Sequence, residues 1–259
     1  MKEKTLSQPA REMIKSYSNL DIGSKPVACT YFNNRRTKVR GGVRAKVGKG
    51  SPEEIKKEAK ISAKKEGLNL EQKSAKNIKE FLVEKNIGVD CSAFAYYVLN
   101  AEVKAKKQES LKENINFPNK NWLRKLIIKF RTIENINTEV LSHPQNSTGL
   151  ELVRVKPGDF VSILKSGQDN DRDHILVIHK VKYKQEKLQK IHYTHSFRWS
   201  SDGEYNHGIK KGKILIKDID KSLLQQEWIE KSKKNKNNET YQRAKNAEIL
   251  SLRRLNILT

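Results

Sequence analysis

Cysteine is scarce in this chain of 259 residues: there are two, Cys29 and Cys91. Two thiols cannot form a disulfide framework or a paired-cysteine zinc site, which leaves a single bridge or the chemistry of an unpaired thiol. Also missing is any run of about eighteen apolar residues, so no membrane span is expected. The first twenty residues, MKEKTLSQPAREMIKSYSNL, lack the apolar stretch of a classical signal peptide, and the expectation is a cytoplasmic or non-classically exported protein. Acidic residues are outnumbered, with 30 Asp plus Glu against 53 Lys plus Arg and a net charge of +23. That charge attracts polyanions, whether nucleic acid, anionic cell-wall polymer or lipid head group. The lysines are spread through nearly every segment, which favours a generally basic surface over a single binding arm.

What is present reads as helices first and strands afterwards. Residues 1–25 suggest a short helix and a linker with little apolar content, and partial disorder is expected there. Residues 26–50 mix β-branched and aromatic residues with glycines and carry seven Lys or Arg between Arg35 and Lys49, without a phosphate-loop pattern. In SPEEI, Ser51, Pro52 and Glu54 make a strong helix start. Helices are expected over 52–66, with Ile55, Ala59 and Ala63 on one face, and over 70–86, with Ile78, Phe81 and Leu82 on one face. A third opens near Cys91. The chain is then polar from Lys104 to Asn121, and Trp122, Leu126, Ile127 and Phe130 share a helical face that reads as core or partner surface. From Leu150 four strands follow: the segment after Pro157-Gly158, then DHILVIHKVKY, KIHYTHSFRW and KGKILIKDI. Short polar turns between them predict an antiparallel meander, and the whole an α+β fold with N-terminal helices packed on an antiparallel β-sheet.

The stretch GVDCSAFAYYVLNAE sets Cys91 at the first turn of its helix, after Gly88 breaks the preceding pattern and Asp90 caps the new one. The positive end of a helix favours thiolate, so the Cys91 pKa is expected below the free value of about 8.5. A nucleophilic thiol also needs a base. Alternation from Asp173 puts His174 on the face of Leu176 and Ile178, with His179 on the other, and His192 and His195 likewise point opposite ways. Adjacent antiparallel strands can then supply an imidazole and a second group that holds its tautomer.

Asp90-Cys91-Ser92 opening a helix, Pro157-Gly158-Asp159 before a strand, His174 starting the next and His195 on the one after together resemble the NlpC-type cysteine peptidases, papain-like cell-wall endopeptidases. The resemblance covers roughly residues 88–216, with weaker extensions at 52–66 and in EILSLRRLNI. It implies a papain-like NlpC-type core in residues 51–259 with a helical insertion at about 104–141, preceded by an N-terminal extension and basic loop over 1–50. It also implies that Cys91 attacks a carbonyl, His174 exchanges the proton and His195 orients His174. Asp90 and Ser92 would lie near a substrate amine, with Tyr31 lining the same pocket. The expected activity is hydrolysis of amide bonds in peptidoglycan-type peptides through a thioester, with no cofactor or metal. The same scaffold serves an acyltransferase equally well, and the charge keeps open a basic polyanion-binding protein. Ala93 replaces the glycine usual after Cys-Ser, and Cys91 and His174 stand 83 positions apart, which is longer than usual for the family.

Overall fold

The computed structural model describes residues 2–34, 42–118, 121, 124, 127, 128, 130–167, 169–230 and 237–259. Period-two alternation of apolar residues in the C-terminal half builds the strands β3 (Phe160–Ser166), β4 (Arg172–Lys184), β5 (Lys187–Phe197) and β6 (Gly208–Leu215). They pair antiparallel in sequence order, and β7 (Glu227–Ile229) extends the meander beyond β6. On the other side β8 (Ile249–Leu255) returns beside β3, and β2 (Ser147–Gly149) pairs with β8. The Pro-Gly-Asp segment locks that return, because Asp159 takes both arms of the Arg254 guanidinium at 2.7 and 2.9 Å.

Among the described residues the longest helices ahead of the meander are α1 (Gln8–Ser18), α2 (Pro52–Lys65), α3 (Ala75–Glu84) and α4 (Cys91–Lys107). Ser51 and Glu54 form the reciprocal cap that opens α2, with hydrogen bonds of 3.2 and 2.8 Å. Buried side chains of these helices, among them Ile55, Leu82, Phe94 and Leu99, share one core with Phe160, Ile175 and Val177 of the sheet. The opposite sheet face carries Val161, Leu176, Ile178, Tyr193, Ile214 and Trp228 and is covered by Leu152, Leu223 and Ala244. The α+β expectation holds, with both sheet faces covered rather than one.

Two expectations are corrected. The short helix expected in residues 1–25 is α1, but the partial disorder gives way to order: Ala10, Ile14 and Tyr17 of α1 are buried against α4, and β1 (Lys2–Thr5) pairs with Lys180–Tyr183 of β4. The missed signal is the spacing of Leu6, Ala10, Ile14 and Tyr17, a narrow apolar stripe that sparse composition conceals. Residues 2–34 thus contribute to the same core as the rest of the chain. Of the apolar face expected over 122–130, Trp122 and Leu126 lie outside the described residues, while Ile127 and Phe130 are exposed and Ile128 is buried. Residues 35–41 of the basic loop also lie outside them.

Candidate active site

Asp90 caps α4 through the Ala93 N–H at 2.7 Å, and Cys91 is the first helical residue. As the first residue of the helix, Cys91 has a backbone N–H with no intrahelical acceptor. Val89, just ahead, is the meeting point of distant segments. It bridges Tyr31 and Lys49, and its carbonyl accepts the Ser196 hydroxyl of β5 at 2.8 Å. Gly88 permits this crossing, since a Cβ there would stand 2.6 Å from the Thr30 carbonyl oxygen.

The sheet side of the site follows from register. The Ile178 N–H donates to Asp159 on the β3 side, so by alternation the Ile175 N–H points the other way, toward β5. The ladder between β4 and β5 begins only at Val177 and Thr194. The end of α4 meets the sheet in this fork, and the Ile175 N–H is aimed at the Cys91 sulfur.

His174 and His195 share one face and join through Nε2 and Nδ1 at 2.7 Å. Behind them, His195 Nε2 lies 3.1 and 3.2 Å from the two carboxylate oxygens of Glu230, which also accepts the Tyr193 hydroxyl at 2.8 Å. The relay is sealed: His174 is 1% and His195 0% exposed. Burial raises the Glu230 pKa, but its bonds to His195 and Tyr193 more than offset that and hold it below the usual carboxylate value. Glu230 was not singled out from the sequence. The available signal was EWIE, where alternation places Glu230 on the face of the core residue Trp228.

The expectation of a depressed Cys91 pKa is not met. Burial pushes the thiol up to about 12 and the Asp90 carboxylate adds to the effect, outweighing Lys49, Arg243 and the Ile175 N–H. Burial first, then His195 and Arg243, holds His174 well below its ordinary value. The resting site therefore pairs a neutral thiol with a neutral imidazole. Among the described residues no hydrogen bond joins Cys91 to His174; the sulfur lies against the peptide that follows His174. His174 Nδ1 is the ring nitrogen that His195 leaves unused.

Asp90 and Ser92 lie beside the cysteine, yet both are engaged within the chain. Lys49 Nζ stands 2.6 Å from the Asp90 carboxylate and donates to the Ser92 hydroxyl at 2.8 Å and the Ile136 carbonyl at 2.7 Å. Ser92 also donates to Asp90 at 2.9 Å. The expected place for a substrate amine is filled by Lys49, the last basic residue of the loop that precedes α2. Tyr31 reaches the same cleft, held by a bond from its N–H to His207 Nδ1 at 3.1 Å and by an edge contact with Phe197 at 6.4 Å. No group of three or more His, Cys, Asp or Glu is placed to hold a metal among the described residues. No helix among them is long and apolar enough to cross a membrane.

No family model, curated protein or solved structure matches the chain. The fold and side-chain geometry describe an α+β protein with a cysteine at the start of a helix, its sulfur against the Ile175 N–H, and a buried His-His-Glu chain that begins at the neighbouring residue His174.

Proposed function

We propose that the chain is a cysteine amidase or endopeptidase of the NlpC, papain-like type, acting on amide bonds of peptidoglycan-type peptides. The observation that carries this reading is the 2.7 Å bond between His174 and His195 with Glu230 behind it, together with a cysteine at the first turn of α4 whose sulfur meets the Ile175 N–H. A hydrogen-bonded imidazole pair ending in a carboxylate, sealed from solvent, fixes which nitrogen of His174 is basic. Neither the core nor an exposed surface requires such a pair.

In this reading the thiol turns from the Ile175 amide toward His174 Nδ1 as substrate enters. His174 takes the thiol proton while sulfur bonds to the carbonyl carbon, and the Cys91 N–H supports the developing oxyanion. The C–N bond then breaks, His174 returns the proton to the leaving amine, and a thioester remains. Water, deprotonated by His174, releases the acid and restores the thiol. Glu230 stabilises the imidazolium charge as it spreads across the pair. Transfer of the thioester to an alcohol or amine instead of water is the same chemistry with another acceptor.

The test is digestion of muropeptides followed by mass spectrometry. New amine and carboxyl termini are expected with the parent protein and none with Cys91→Ala; equal products from both would end the proposal. A second reading, polyanion binding, is favoured by one observation: Lys180, Lys182, Lys190 and Lys213 all bear on His192 from neighbouring strands. A nucleic-acid complex that persists at high salt, without turnover, would favour it.

A further inference from the structure

The Glu239–Lys245 helix carries Arg243 to the wall of the cleft that Cys91 and Tyr31 line. Its guanidinium lies over the Phe197 ring, 4.4 Å from the centroid. The same ring packs against His174, with 4.4 Å between centroids. Phe197 thus sets the position of a cation relative to the base. Stacking uses the face of a guanidinium and leaves the N–H donors around its edge free for an anion.

The acids around it are committed elsewhere. Asp90 is paired with Lys49 at 2.6 Å, and Asp171 stands 3.6 Å from Arg172. Asp173 accepts the Lys165 N–H at 2.9 Å, and Glu239, on the same helix as Arg243, accepts from Ser200 and Ser201 at 2.7 to 3.2 Å. Among the described residues no carboxylate forms an ion pair with Arg243. A half-buried guanidinium without a counter-ion carries a desolvation cost that a bound carboxylate relieves, through bidentate bonds that a point charge cannot match.

We propose that Arg243 is a specificity-determining residue that binds a carboxylate carried by the substrate beside the bond Cys91 attacks. This rests on the amidase reading for the word substrate, but the anion site itself does not. Lys49 sharpens the preference: with Asp90 neutralised from within, the cleft presents its free charge as positive, so an acidic peptide is favoured over one that presents an ammonium.

The test uses the full chain and two probes of nearly equal shape, iodoacetate and iodoacetamide, with the site of labelling read by peptide mapping. In each case sulfur displaces iodide, a C–S bond forms and the thiol proton passes to base. Relative to free cysteine, the iodoacetate-to-iodoacetamide rate ratio at Cys91 is expected to be raised roughly tenfold, and to fall by about that factor in Arg243→Gln. Arg243→Lys keeps part of it. A companion measurement needs no variant: N-acetylglutamate should protect Cys91 of the parent protein from iodoacetamide better than N-acetylglutamine does. An unchanged ratio in folded Arg243→Gln, equal protection by the two compounds, or no labelling of Cys91 by either reagent would overturn the proposal. Muropeptide turnover is read separately, so its absence alongside a raised ratio strikes the amidase reading and leaves the anion site standing.

Discussion

β4 and β5 carry two histidine pairs on opposite faces, built from the same residue type on the same two strands. On one face His174 and His195 are joined at 2.7 Å and backed by Glu230. On the other, the rings of His179 and His192 stand 6.0 Å apart, and His179 Nδ1 bonds the Thr194 hydroxyl at 2.7 Å. No carboxylate backs this second pair among the charges that bear on it; instead Lys180, Lys182, Lys190, Lys211 and Lys213 surround it. Burial and these lysines push His179 down to about 3 and His192 down to about 4. The two pairs thus differ in what stands behind them. A carboxylate favours an imidazolium, whereas lysines add to burial in opposing one.

The largest effect follows from breaking the relay at its working end. His174→Ala should abolish muropeptide turnover as fully as Cys91→Ala, a loss of roughly 10³-fold or more. His179→Ala, on the other face, should retain kcat within a few-fold. Full activity in a folded His174→Ala protein would remove the base and most of the case for a cysteine enzyme. Next comes the outer end. Glu230→Gln keeps the shape and Tyr193 as a neighbour but withdraws the charge, so kcat should fall about 10- to 100-fold with the protein still folded. His195→Ala should leave a measurable remainder, and His195→Asn more, because an amide can still bond the His174 ring. Steady-state kinetics at matched circular dichroism orders these variants, and a Glu230→Gln protein with unchanged kcat would reduce the relay to a packing device.

Acid sharpens the comparison through stability. His179 at about 3, with His192 and His207 at about 4, all lie below the ordinary value near 6.5. A depressed folded pKa means the unfolded chain binds protons first as pH falls. Stability is therefore complete above about 6.5 and drains as pH drops toward 4, by on the order of 1 kcal/mol at pH 5.5 for the buried His207 and by less for the partly exposed His192, where solvent screens the charge. His207→Gln should recover part of that loss in thermal melts at pH 5.5 and change little at pH 7.5. An equal shift at both pH values would mean the histidine matters for packing and not for its proton.

These contrasts also show where the sequence was informative. The strands of the meander, the capping box at Ser51 and the helix opened by Asp90 were legible because each is local: a period of two, a reciprocal cap, a turn of helix. The same alternation separated His174 from His179 and His192 from His195, while the pairing of His174 with His195 was implied by the resemblance. The site's other members come from far along the chain. Lys49 arrives through its bridge to Val89, Glu230 through β7 at the far end of the meander, and Arg243 on a seven-residue helix. Nothing in their own neighbourhoods marks them as partners of Cys91. The thiol pKa was misjudged for a related reason. The helix end is a local feature, but burial is set by tertiary packing and outweighs it.

The smallest effect tests the lysine field directly. Burial is the first cause of the low His192 pKa, and Lys180, Lys182, Lys190 and Lys213 are the next. Removing one lysine should therefore raise the His192 pKa only partway, by about half a unit for Lys213→Gln, because a single half-exposed charge acts through a high effective dielectric. Added salt should move it in the same direction, since screening weakens each lysine together. Glu230→Gln should leave His192 unmoved, because that carboxylate lies on the other face of the sheet. NMR titration of the His192 ring in the three proteins reads all of this. A shift of His192 in Glu230→Gln as large as in Lys213→Gln would mean the two faces share one electrostatic environment. In that case the contrast between the pairs would rest on geometry and not on charge.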